Sequence, residues 1–191
     1  MARDPLLSSS TRRSRYKFLE VNRDREAIAA FFTERFTERY VTPIEATPRK
    51  QKHGFTVMAV SCLLIETLES FWNGWPSTDG RSALAFCQFI SRSPRFHFLL
   101  GHVPAFYRHV RCGILHQAET TGGWTIKRIG PLFDRNGLVL NATAFHRKLQ
   151  KEISDYANIL RTEHWDTDDG AISGKKWQRS VGTVKSAARQ T

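Results

Sequence analysis

Five separate stretches of this chain repeat apolar residues at steps of three and four, with proline and glycine gathered between them. That spacing matches the 3.6-residue turn, so the chain is written for helices that each bury one face, with a single short window left for strands. The clearest stretch spans about 142–161, where Phe145, Leu149, Ile153, Tyr156 and Leu160 follow at steps of four, four, three and four. A second, roughly 55–72, puts Val57, Val60, Leu64, Leu68, Phe71 and Trp72 on a broad apolar face and stops at Asn73 and Gly74. It predicts the central helix of a bundle. Its narrower face carries Ala59, Cys62, Glu66, Glu69 and Ser70, which sets Glu66 amid small side chains where another helix can approach.

Ile28, Phe31, Phe32 and Phe36 predict a helix from about 22 to 40, ended by the two prolines of 42–48. Ser77, Thr78 and Asp79 offer an N-cap to a third helix over 80–91, continuing beyond a kink at Pro94 to about 100. Pro104 suits the first turn of a fourth, which runs to about 119 and is ended by Thr121, Gly122 and Gly123. Between Trp124 and Asn141, β-branched and apolar residues flank Asn136 and Gly137, a favoured two-residue turn, and predict a small β-hairpin. The sequon Asn141-Ala-Thr143 reads as a helix cap. Residues 1–20 mix Ser8, Ser9 and Ser10 with Arg12, Arg13, Arg15 and Lys17, the composition of a flexible basic arm, and 163–191 read as a flexible tail. The expected architecture is all-α: an antiparallel four- to five-helix bundle over 21–162 with a small β-hairpin insertion and flexible termini.

The chain has 29 Lys and Arg against 18 Asp and Glu, for a net charge of +11 and a pI near 10.1. Phosphate neutralisation with counterion release makes a polyanion the natural partner, solubility being the plainer use of such charge. In the tail, Lys175, Lys176, Trp177 and Arg179 are suited to stacking on and neutralising a single nucleic-acid strand, although a segment of this kind is more often only a solvated tail. Three cysteines, Cys62, Cys87 and Cys112, fall within predicted helices, and their odd number fits a reducing, cytoplasmic setting. The most apolar run, 55–65, is too short to span a bilayer before Glu66 and Glu69 interrupt it, so no membrane partner is expected. Without an HExxH, paired CxxC or close carboxylate cluster, no metal or other cofactor is expected.

Chemistry is best represented by Arg111 and His116 on the fourth predicted helix. A guanidinium is a permanent cation that forks onto phosphate, and an imidazole moves a proton near neutral pH. With 20 arginines and 7 histidines, about two Arg-x4-6-His pairs arise by chance, and three occur, at Arg92 and His97, Arg95 and His102, and Arg111 and His116. Pro94 breaks the first and Gly101 the second, leaving the third inside one helical period. On a regular wheel Phe106, Val110 and Ile114 face the core, Arg111 borders that stripe, and His116 lies about 140° further round. The arc between them bears Arg108, Cys112 and Leu115, a surface suited to a two-fold contact that would gather two arginines and two histidines around one cleft. Arg108 and His109 are the adjoining nucleic-acid-binding candidates. Taken singly, Arg111 reads as a surface cation or a partner for Glu119, and His116 as a cap of the last helical turn.

A helical bundle with Arg-x4-6-His on a late helix resembles the HEPN superfamily, over about 22–161. The resemblance implies a metal-independent endoribonuclease acting as a homodimer, of the kind found in toxin-antitoxin, defence and RNA-surveillance systems, with RNA as substrate and an antitoxin protein as a further partner. It implies Arg111 and His116 as the catalytic pair and Glu66 as a polar helper from an earlier helix. Cys112 stands directly after the motif arginine, where many active members carry asparagine or aspartate, so a non-catalytic nucleic-acid-binding or assembly module is the second reading. Ala118 occupies the place of a tyrosine that some antitoxins modify, which leaves that style of control without its target.

Overall fold

The computed structural model describes residues 4–46, 48 and 52–163. They are mostly helical, with one small sheet. In chain order the elements are α1 (Arg13–Val21), α2 (Arg25–Phe36), α3 (Thr42–Glu45), α4 (Gly54–Asn73), α5 (Ser82–Arg92), α6 (Val103–Phe106), α7 (Gly113–Gln117), β1 (Thr125–Lys127), β2 (Phe133–Asp134), β3 (Val139–Asn141) and α8 (Ala142–Thr162). A π-helical turn over Thr37–Val41 joins α2 to α3, and another over Tyr107–Cys112 joins α6 to α7. A 3-10 segment over Pro94–Leu99 follows α5.

The described residues fall into two compact units, one built from 4–43, 71–76 and 153–163, the other from the described part of 44–70 and from 77–152. In the first, an aromatic cluster forms the core: Phe32 stacks on Phe36 at 4.2 Å between ring centres, Phe36 meets Phe71 at 5.3 Å, and Phe32 meets Tyr156 at 4.7 Å. The stretch expected to be a loose arm contributes α1. Its charges Arg12, Arg15 and Lys17 stay outside, while Tyr16 and Leu19, one turn apart, are buried, with Tyr16 against Phe31 at 5.1 Å. Ahead of α1, Glu34 accepts hydrogen bonds from the Ser8 hydroxyl at 2.8 Å and the Ser10 amide at 3.0 Å, and Glu38 accepts from the Ser9 amide at 3.0 Å. Composition alone reads this segment as polar; two apolar side chains at helical spacing and two carboxylates across from it give it a place. The helix expected to end at about 40 continues through Pro43 to Glu45, because the π turn before it has already displaced the regular backbone ladder that a proline interrupts.

The second unit packs Val57, Met58, Leu64, Ile65 and Leu68 of α4 with Phe86, Phe89, Phe96, Phe106 and Phe145, all buried. Phe96 and Phe145 meet edge to face at 5.0 Å. By length and apolarity α4 suffices to cross a bilayer, unlike the shorter apolar run read from the sequence. In the fold both its glutamates are held by arginines, Glu69 by Arg92 and Glu66 by Arg111. Helix α5 starts at Ser82 with no side-chain cap, two residues later than expected, because the hydroxyls of Thr78 and Ser82 turn to Glu66 instead.

The expected hairpin exists as β2 paired antiparallel with β3, Phe133 opposite Leu140. Its connection is four residues, 135–138, and Leu138, not Asn136 or Gly137, takes the left-handed conformation at φ 50°. The Asp134 carboxylate captures the amides of Asn136 and Gly137 at 3.1 and 3.3 Å, which favours this wider turn over the two-residue one. A third strand, β1, lies parallel to β3 in the order β1-β3-β2. Asn141 caps α8 as expected, its side-chain oxygen accepting from the Ala144 amide at 3.0 Å.

Candidate functional site

Glu66 lies on the buried side of α4, and its carboxylate is fully engaged. One oxygen, Oε1, accepts from Nε and Nη2 of Arg111, each at 2.8 Å. The other, Oε2, accepts from the Ser82 hydroxyl at 2.8 Å and the Thr78 hydroxyl at 3.1 Å. An ionised carboxylate offers about four acceptor sites, so this one has no capacity left for a substrate proton. Glu66 is a positioning residue. The hydroxyls come from the loop and first turn of α5, which ties three elements to one carboxylate.

Arg111 sits at the edge of the core, its side chain 15% exposed. The guanidinium carbon lies 5.5 Å from the centre of the Tyr107 ring, and Nη1 is 4.0 Å from Cys112 Sγ. Burial disfavours the arginine's charge, but the Glu66 carboxylate outweighs it and raises the pKa above its ordinary value. Glu66 occupies the Nε edge of the guanidinium. The Nη1 and Nη2 edge, the geometry that forks onto phosphate, is oriented away from that contact.

The π turn runs directly beneath Arg111. Its larger number of residues per turn means that a wheel of constant angle does not carry across 107–112, so the separation of about 140° read from the sequence does not fix where His116 points relative to Arg111. His116 lies on the last turn of α7 and is exposed, as are Leu115 and Arg108. It makes no hydrogen bond or ion pair with Arg111 or Glu66. The fold thus brings Glu66 and Arg111 together and leaves His116 apart. Ile114, expected in the core stripe, is half-buried, while Gly113 is buried.

Gly113 is required where it stands. The chain turns back after Ala118, which is left-handed at φ 55°, and a Cβ on Gly113 would lie 2.5 Å from the Glu119 carbonyl oxygen. The returning loop is fastened by His109: its Nδ1 is 2.8 Å from the Thr121 hydroxyl, and its carbonyl accepts from the Thr121 amide at 3.0 Å. Gly122, at φ 59°, packs so closely on the imidazole that a Cβ would lie 2.7 Å from the ring. His109, expected to bind nucleic acid, is committed to this loop. Lys175, Lys176, Trp177 and Arg179 lie outside the described residues.

Cys62 is buried near the same cluster, and burial pushes its thiol pKa well up, so it remains a thiol at neutral pH. A second pair, not evident from the sequence, joins buried Glu69 of α4 to half-buried Arg92 at the end of α5. Glu69 falls one turn after Glu66, a spacing that signals the shared inward face. Among the described residues no cluster of three His, Cys, Asp or Glu side chains is arranged to hold a metal ion. No protein-family model, curated protein or solved structure matches this chain.

Proposed function

We propose that this chain is a HEPN-like endoribonuclease that cleaves RNA without a metal, at a site shared between two copies of the α6 to α7 helix. The observation that carries this reading is a guanidinium fixed by a saturated carboxylate, on the same helix as an exposed histidine, in a chain of charge +11. Within one subunit His116 stands apart from Arg111; a two-fold contact over Cys112 and Leu115 brings each arginine toward its partner's histidine.

In the proposed reaction the ribose 2′-oxygen attacks the adjacent phosphorus as its proton passes to an imidazole. The bond from phosphorus to the 5′-oxygen breaks, and that oxygen takes up a proton. The products are a 2′,3′-cyclic phosphate and a free 5′-hydroxyl. His116 moves the proton, Arg111 offsets the charge developing on the phosphoryl oxygens, and Glu66 sets the guanidinium. DNA lacks the internal nucleophile and is spared. Incubation of the purified protein with RNA in chelator should give products ending in cyclic phosphate. His116→Ala should abolish them while leaving the circular dichroism unchanged; cleavage retained by that variant removes the histidine from the mechanism.

A second reading, a non-catalytic nucleic-acid-binding module, is favoured by one observation: Glu66 pairs with Arg111 through Nε and Nη2 and offsets its charge. In that case RNA affinity falls with salt and no product forms.

A further inference from the structure

A pocket of about 210 Å³ opens between α3, the segment after β1 and the first two turns of α8, lined by Ile44, Glu45, Arg128, Thr143, His146, Arg147 and Gln150. We infer that it binds the terminal phosphate of a small phosphate monoester, with Arg128 and Arg147 as its anion clamp.

The α8 residues fall at positions i, i+3, i+4 and i+7, so a single helical face presents a hydroxyl, an imidazole, a guanidinium and a carboxamide to one space. Arg128 reaches the same space from the other wall and is aimed by two acceptors, the Thr143 hydroxyl at 3.2 Å and the Pro48 carbonyl at 3.4 Å. Gln150 donates to the Glu45 carboxylate at 3.2 Å. Among the described residues of the lining, two guanidinium groups accompany one carboxylate. Its volume is below that of pockets for drug-sized ligands and suits a phosphate with its sugar.

His146, which is buried, is anchored by the 3.1 Å contact of its Nδ1 with the Ser61 hydroxyl, whose oxygen also lies 2.7 Å from the Val57 carbonyl oxygen.

The pocket shares no residue with the Arg111 and Glu66 cluster, so loss of cleavage in His116→Ala and loss of phosphate binding are separable. Full-length protein would be titrated calorimetrically with inorganic phosphate, adenosine 5′-monophosphate, and one RNA oligonucleotide bearing either a 5′-phosphate or a 5′-hydroxyl. Arg147→Ala changes an exposed side chain, and Arg128→Gln retains a donor for Thr143, so both should fold. Saturable phosphate binding is expected, weakened about tenfold or more by each variant. Preference for the mononucleotide identifies a free nucleotide as the source, and preference for the 5′-phosphorylated over the 5′-hydroxyl strand identifies an RNA end. Absence of saturable binding by phosphate and mononucleotide, or binding that both variants leave unchanged, overturns the assignment.

Discussion

Removing the Glu66 carboxylate strands four donors at once, one arginine edge and two hydroxyls. Breaking a buried pair leaves an uncompensated charge, so Glu66→Ala should lower stability by about 3 kcal/mol, the low end of the usual range because Arg111 retains some contact with water. Urea denaturation at neutral pH measures it. Gly113→Ala tests the loop return by a different route, since the new methyl must push the Glu119 carbonyl aside. A loss of about 1–3 kcal/mol is expected from that overpacking, together with altered amide signals over 118–122. Both glutamates of α4 illustrate what a single sequence conceals. The period of α4 marks its inward face, but nothing local indicates that Arg111 and Arg92, each more than twenty residues away, are the partners that make burial of carboxylates tolerable.

At the scale of elements, the segment before α1 is held by carboxylates of α2 and the turn after it, and it should respond to acid. Partial burial acts to raise the Glu34 pKa, and the hydrogen bonds from Ser10 and Ser8 outweigh it, holding the group below the ordinary glutamate value of 4.5. A carboxylate depressed in the fold contributes its stability above the ordinary value and loses it as pH falls through the depressed one. The Ser10 amide resonance should therefore keep its folded position through pH 5 and shift only below 4.5, and Glu34→Gln should produce part of that shift at neutral pH. Helices α4 and α8 were legible from periodicity because long amphipathic runs average over local exceptions. Helix α1 was not: it is nine residues long, its buried positions are two among many charges, and its stability comes from contacts with α2. The π turns were equally hidden, since no residue type announces an added backbone residue, and one of them governs where Arg111 points.

For the whole molecule, the Arg111 and His116 spacing was visible in the chain, and the part left unread was that the fold pairs the arginine with Glu66 and leaves the histidine exposed. The proposed shared cleft would use that division. If each site takes Arg111 from one subunit and His116 from the other, a heterodimer of Arg111→Gln with His116→Ala retains one intact site, whereas sites closed within a subunit would all be dead. Mixing the two inactive variants in equal amounts under exchange conditions, with RNA in chelator, tests this directly. Random exchange makes half the dimers mixed, so about a quarter of the wild-type cleavage rate should return. No recovery from a mixture shown to exchange, beside a wild type that cleaves, would contradict the shared site.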